Sequence, residues 1–454
     1  MARFRLKSIM ILLLGIIISV ILASCAAAVV GIGSYESAVE HYEHYEFEYY
    51  EYEYYEYDEV VLHTSFLDDA LIFIEFVENT HPIFVMDDML SEDYYDMRYE
   101  FIRTAGEVDT QLDFNFALQR FITVLRDGHM RMPGFNILGE YFIDAPFYME
   151  DGKLFLHSFE VSEIGGVAVQ TVFDTIDRYF YHENEAARAQ AYTVMSRNVE
   201  ILERAGAAIQ HFAATLTLLN DEGEIAETRV PVIEIAGWQV RGITPLFDLE
   251  FVINYGMIRD DIFLIDLRTF RNDLRVIHAE TAIRRAVDDG VRNFVFDVRD
   301  NGGGNSQIGS RLLEAMGIRH PSFGSVRRSR SALDPDRDVV LHSPPSITPT
   351  HNPNDVTVAV LTNVNTFSSA RMVSSWVQDG GLGVIVGEPG ANAPTAFGNM
   401  AQRVYLPHSS MYVVSSTVRW LRPDADADQY TIWPDISAPY QQALEAAIAF
   451  FEGI

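Results

Sequence analysis

The sequence predicts an α/β protein: a layered core of alternating strands and helices in its second half, preceded by a small helical module and a strand-rich middle segment. Three observations carry this. From about residue 247 to the end, short apolar runs alternate with amphipathic stretches, the pattern of strands and helices stacked in layers. Between Phe66 and Leu125 apolar residues recur at helical spacing. Beyond Tyr141 the period shortens towards that of strands. A chain of 454 residues that is 48% hydrophobic and 12% aromatic can bury two or three cores and is far from disordered composition.

The first 25 residues have a basic start (Arg3, Arg5, Lys7), an apolar stretch from Ile9 to Leu22, and then Leu22-Ala23-Ser24-Cys25. This is the layout of a bacterial lipoprotein signal peptide, and the apolar run is short for a membrane span. Cys25 is the expected lipidation site, since two acyl chains hold a protein stably at a membrane. The expected location is the outer face of the bacterial cytoplasmic membrane. Cys25 is also the only cysteine, which excludes a disulfide framework and a catalytic thiol in the globular part. Residues 26–62 read as a tether, because eight carboxylates between Tyr42 and Glu59 repel one another and keep the chain extended. A net charge of −32 argues against a nucleic-acid partner.

Residues 63–135 form the helical module. Asp113 is placed to cap a helix whose Phe114, Leu118, Phe121 and Leu125 line one face. The module ends in Arg126-Asp127-Gly128-His129, with Gly128 expected to leave the helix in a left-handed turn. Residues 136–245 form the middle domain, with hairpins at Glu150-Asp151-Gly152 and near Asn220 to Gly223 and a charged helical insert from Glu183 to Arg204. Residues 246–454 form the core. There, strands at Asn293 to Val298, Val356 to Thr362 and Gly383 to Gly387 alternate with helices at Ile308 to Met316 and Met372 to Val377.

Two loops of this core join a buried strand to a helix, where α/β folds hold reactive groups. The first is Asp297-Val298-Arg299-Asp300-Asn301-Gly302-Gly303-Gly304-Asn305. Its glycines can present bare N–H groups to an oxyanion, although the run matches neither phosphate-binding fingerprint and is equally compatible with a plain turn. The second is Asn365-Thr366-Phe367-Ser368-Ser369-Ala370. A serine at a strand-to-helix turn exposes its hydroxyl beside the next amide, while the competing interpretation makes these serines simple helix caps.

The combination decides between these readings. DVRDNGGGN, then NTFSSA and VQDGGLGVIVGEP, continuing through VYLPHSSMYVVSSTVRWLRPD and TIWPDI, resembles the catalytic core of the tail-specific, or C-terminal processing, serine peptidases. The resemblance extends over about residues 66 to 440. It implies a crotonase/ClpP-like layered core, a PDZ-like middle domain and an acyl-enzyme peptidase acting on proteins or peptides, with Ser368 as nucleophile and the amides of Ser369 and of Gly302 or Gly303 as oxyanion donors. One branch of that family uses a lysine base, at the position held here by Ala393; no lysine follows Ser368, which excludes that mechanism. The tricorn-like branch uses a histidine from the region before the core, and RDGHMRMP carries that role over to His129, which at its ordinary pKa near 6.5 can take up the serine proton. A supporting glutamate of that branch maps to Asp428, six residues before Pro434-Asp435; Asp127 and Glu388 are the other acidic residues placed to orient the base.

Arg371, Gly128 and Gly390 depart from the family pattern, standing where relatives have an acidic residue, a serine and a threonine. The departures leave room for a second class of function, a catalytically inactive binding protein for an apolar ligand or peptide on the same scaffold. A crotonase-type acyl transfer is a third, disfavoured by export away from coenzyme A. Asp424, Asp426 and Asp428 alternate like the start of a calcium loop but lack its glycine and closing glutamate, so no metal or other cofactor is expected.

Overall fold

The computed structural model describes residues 65–86, 89–90, 92–130, 138–220, 222–234, 252–330, 338–348 and 350–453. The chain divides into units of residues 1–51 and 52–454, and every described residue belongs to the second. The signal peptide, Cys25 and the tyrosine–glutamate tether lie outside the described residues. Among those residues no helix is long and apolar enough to cross a membrane.

The N-terminal part packs three helices, α1 (Phe66–Thr80), α2 (Tyr94–Ala105) and α3 (Gln111–Ile122). Helix α3 begins earlier than its sequence suggested: Thr110 is the cap, accepting the Asp113 amide at 3.1 Å, and Asp113 sits in the first turn. Phe114, Leu118 and Phe121 are buried on the expected face, followed by buried Leu125 in a short 3-10 turn.

The middle part is antiparallel. Its strands are β1 (Tyr141–Ile143), β2 (Phe147–Glu150), β3 (Lys153–Leu156), β4 (Phe159–Ile164), β5 (Val167–Ala168), β6 (Ile209–Gln210), β7 (Ala213–Leu219) and β8 (Ile225–Glu234), in the order β1-β8-β7-β4-β3-β2 with β5 on β4 and β6 on β7. Asp151 and Gly152 both have positive φ at the β2–β3 turn, as a two-residue hairpin of this hand requires. Between β5 and β6 the chain inserts α4 (Val169–Tyr179), α5 (Glu185–Met195) and α6 (Val199–Arg204).

The core sheet runs β20 (Ile436–Ser437), β15 (Gly383–Gly387), β14 (Thr357–Thr362), β11 (Asn293–Asp297), β10 (Ile262–Leu267) and β9 (Ile253–Arg259). All neighbours are parallel except β9 with β10. Its central strands are apolar at nearly every position because both faces are covered. Phe294, Phe296, Val358 and Val360 pack beneath α7 (Leu274–Asp288), α8 (Gln307–Ala315) and α9 (Ser369–Asp379). Val295, Ala359 and Leu361 face the other way, onto α10 (Ala443–Glu452).

A four-stranded sheet, β13 (Asp338–Ser343), β12 (Gly324–Arg330), β19 (Val418–Leu421) and β16 (Ala396–Gly398), and a hairpin of β17 (Gln402–Leu406) and β18 (Met411–Ser415) complete the fold. The hairpin returns to the N-terminal helices. Val404, Leu406 and Val413 join their apolar cluster, and the buried carboxylate of Asp69 on α1 accepts the amides of His408 at 3.0 Å and Ser409 at 2.7 Å.

Candidate active site

The two reactive loops leave the C-terminal ends of adjacent parallel strands, β11 and β14, and polar side chains stitch them together. The Asp300 carboxylate accepts Asn363 Nδ2 at 2.7 Å and Asn365 Nδ2 at 2.9 Å, while Asn363 Oδ1 accepts the Asp300 amide at 2.9 Å. The carbonyl of Asn301 accepts the Phe367 amide at 2.9 Å.

Ser368 has φ 54° and ψ −118°, a backbone conformation that a residue with a Cβ adopts only under constraint. Its hydroxyl makes no capping bond to α9, so the interpretation of Ser368 as a simple helix cap fails. Ser369 is buried and donates its hydroxyl to the Gly304 carbonyl at 2.6 Å, which leaves its amide at the first position of the helix beside Ser368.

The glycine run serves close approach. A Cβ on Gly303 would stand 2.6 Å from Ser368 Cβ and 2.9 Å from the Ser369 nitrogen. The two glycine amides proposed for the oxyanion are distinguished by their bonding: Gly303 donates to Asn301 Oδ1 at 2.9 Å, whereas Gly302 is exposed, with open space around the position of a Cβ. Gly302 and Ser369 therefore form the better placed donor pair.

His129 is buried, and its ring packs on Phe367, the residue before Ser368, with centroids 4.7 Å apart. Its amide donates to Asp127 Oδ1 at 2.8 Å, and the same oxygen lies 4.0 Å from His129 Nδ1. The other carboxylate oxygen of Asp127 meets His81 Nε2 at 3.1 Å. The Ile83 amide donates to His81 Nδ1 at 3.2 Å, which assigns the His81 proton to Nε2, facing Asp127. Burial alone would raise the Asp127 carboxyl, but the His81 hydrogen bond and the neighbouring His81 and His129 rings outweigh it and hold the carboxyl below its usual range.

Gly128 is not left-handed; the residue at positive φ is Arg126, at 52°, after the 3-10 turn. Glycine at 128 makes room for a side chain instead. A Cβ there would stand 2.7 Å from the Glu183 carboxyl carbon. Glu183, just ahead of α5, accepts the Gly128 amide on Oε1 at 3.1 Å, and Asn392 Nδ2 and the Ala393 amide on Oε2 at 2.5 and 2.8 Å. Glu183, Asp127 and His129 can bring one ligand atom each within 4.8 Å of one another. Every carboxylate oxygen in the group faces an N–H donor, so the group is built as a hydrogen-bonded junction.

Asp428 is not brought to the histidine. It is exposed, and its carboxylate accepts the Tyr430 amide at 2.8 Å, the Thr431 amide at 3.1 Å and Trp433 Nε1 at 2.9 Å. The carboxylates beside His129 are those of Asp127 and Glu183. Glu388 follows β15, where its amide and carbonyl bond to Thr362.

Sequence reasoning missed Glu183, His81 and Asn392. The only trace of Glu183 is its place in the polar run His182 to Glu185, whose visible purpose is the cap that Asn184 Oδ1 provides for the Ala187 amide at 2.9 Å. Arg371 and Gly390 also find a structural role here. Arg371 is buried, with Nη1 bonded to the Pro394 carbonyl at 2.5 Å and Nε to Asn392 Oδ1 at 3.3 Å. A Cβ on Gly390 would meet the Thr366 carbonyl at 2.6 Å.

Residues 261–438, which hold both reactive loops, match the family described as Peptidase family S41. Over this core the chain is similar to peptidase family S41, a family of serine peptidases, and it is a serine peptidase. The match begins after His129 and Glu183, which lie outside the S41 core. The fold as a whole is similar to that of mature CPAF, with a TM-score of 0.57 at 14% identity over 85% of this chain and 95% of that one. Mature CPAF complexed with lactacystin aligns with a TM-score of 0.56 at 14% identity, over 86% and 97% of the two chains. No curated protein matches the sequence.

Proposed function

We propose that the protein is an endopeptidase that cleaves proteins or peptides through an acyl-enzyme on Ser368, with His129 as general base. The observation that carries this reading is the constrained turn at Ser368, its hydroxyl free of any capping role, with His129 packed at a tilt on the preceding residue. In the proposed cycle His129 takes the proton of Ser368 as its oxygen attacks the scissile carbonyl, and returns it to the leaving amine. The amides of Ser369 and Gly302 receive the oxyanion, and Asp127, held ionised by His81, orients the imidazole and stabilises its charged form. Loss of one oxyanion donor in such a site costs about 10²–10³ in turnover.

The export signal supports a lipid anchor at Cys25 and action at the outer face of the bacterial cytoplasmic membrane. Fluorophosphonate labelling of the protein at pH 7.5 tests the chemistry, with mature CPAF's ligand lactacystin as a second probe. Labelling at Ser368 that is lost in Ser368→Ala and His129→Ala is the expected result. A folded protein that does not label refutes it and leaves the binding-protein interpretation. Cys25→Ser should release the protein from membranes and abolish metabolic labelling by a fatty-acid analogue.

A further inference from the structure

Gly128 and Arg371, two positions at which the chain departs from the family pattern, and Ala393, which holds the place of the other branch's lysine, surround one carboxylate. Gly128 leaves the space that Glu183 fills and donates its amide to it. Ala393 donates its amide to the other oxygen. Arg371 approaches from α9 and shares Asn392 Oδ1, at 3.3 Å, with the amide of Ser368, at 2.8 Å. A continuous chain of hydrogen bonds therefore runs from the histidine loop through Gly128 N–H, Glu183 and Asn392 to the backbone of the nucleophile.

We infer that Glu183 is a positioning residue of the catalytic centre: its carboxylate, supplied by the middle part of the chain, bridges the His129 loop to Asn392 and thereby sets the backbone of Ser368. The inference rests on the reading of Ser368 and His129 as the catalytic pair. The donor set explains why a carboxylate is needed. All three groups facing the two oxygens are N–H donors, so only the ionised form satisfies them together; a proton on either oxygen displaces a donor and opens the bridge.

The environment holds that ionisation in balance. Burial pushes the Glu183 carboxyl up, the hydrogen bonds from Ala393 and Asn392 pull it down, the charge of Asp127 raises it and that of Arg371 lowers it, leaving it at about 7. Arg419 of β19 and Tyr181 also face it. The bridge is therefore closed above neutrality and opens in mild acid, over the range in which an imidazole base also takes up a proton.

The test is the second-order rate of fluorophosphonate labelling at Ser368 between pH 5 and 8.5. In the wild type the logarithm of the rate should fall in acid with a slope approaching two, one proton for the base and one for Glu183. Glu183→Gln keeps one acceptor oxygen and turns an NH₂ towards the donors. It should label about 10²-fold more slowly at pH 8, the scale of an ångström-sized misplacement, with an acid slope of one. Glu183→Asp, which restores the charge on a shorter arm, should recover part of that loss. Asn392→Ala should match the Gln variant and show no further loss when combined with it. A wild-type acid slope of one, or a Gln variant that labels at the wild-type rate, overturns the inference even where one variant folds poorly. A wild type that never labels at Ser368 overturns the catalytic reading instead.

Discussion

Replacing Gly303 by alanine should disable Ser368 without replacing it. The added Cβ would stand 2.6 Å from Ser368 Cβ, 2.9 Å from the Ser369 nitrogen and 3.0 Å from the Phe367 carbonyl oxygen. None of these is the end of a flexible side chain, so the serine turn must move by about 0.8 Å to restore an ordinary contact of 3.4 Å. Displacements of that size at a reacting centre cost about 10²-fold. Alanine at φ 101° adds about 1–3 kcal/mol of backbone strain. The assay pairs the fluorophosphonate rate with urea unfolding, and Gly302→Ala is the control, because nothing lies within 4 Å of its Cβ position. Gly303→Ala should label about 10²-fold more slowly and unfold at lower urea, while Gly302→Ala stays near the wild type in stability. A Gly303→Ala protein that labels at the wild-type rate would refute the claim that this glycine exists to let the two loops touch.

Three further outcomes follow from the same geometry. Ser368→Gly should be more stable than Ser368→Ala by about 1 kcal/mol, since both remove the hydroxyl but only glycine relaxes at φ 54°; equal urea midpoints would contradict the strain. Asp428→Ala should retain fluorophosphonate labelling within about threefold, because that carboxylate serves the turn at Tyr430, Thr431 and Trp433; labelling lost as completely as in His129→Ala would return Asp428 to the relay. Glu183, with its carboxyl raised from 4.5 to about 7, binds its proton more tightly in the folded state. Its contribution to stability is fully present below pH 4.5 and declines by about 3 kcal/mol as pH rises through 7. Unfolding of wild type and Glu183→Gln from pH 4.5 to 8.5 should show that decline only in the wild type.

The serine turn and its glycine loop were legible because both are local: a buried strand, a short loop and a helix adjoin in sequence, and parallel pairing of β11 with β14 brings the two loops together. The carboxylates were not, because which acid reaches His129 depends on packing between segments far apart. Counting back from Pro434-Asp435 selects Asp428 but cannot tell that the nearby amides of Tyr430 and Thr431 capture it. Glu183 lies 55 positions from Gly128 and 209 from Asn392, a separation without periodicity or spacing to reveal it. Gly128 illustrates the same limit: glycine after a helix suggests a left-handed turn, yet Arg126 takes that conformation and Gly128 makes room for a distant side chain.

The return of the β17–β18 hairpin to α1 bears on when during biosynthesis the enzyme becomes competent. The cluster that seats the histidine loop includes Leu125 and Met130, and also Phe397, Val404, Leu406 and Val413. The buried charge on Asp69 waits for the amides of His408 and Ser409. Until residue 413 has left the ribosome, the helices made before it lack part of their own interior and carry an unmet carboxylate. Residues 404–413 must therefore be in place before the helices that carry the histidine loop are fully packed.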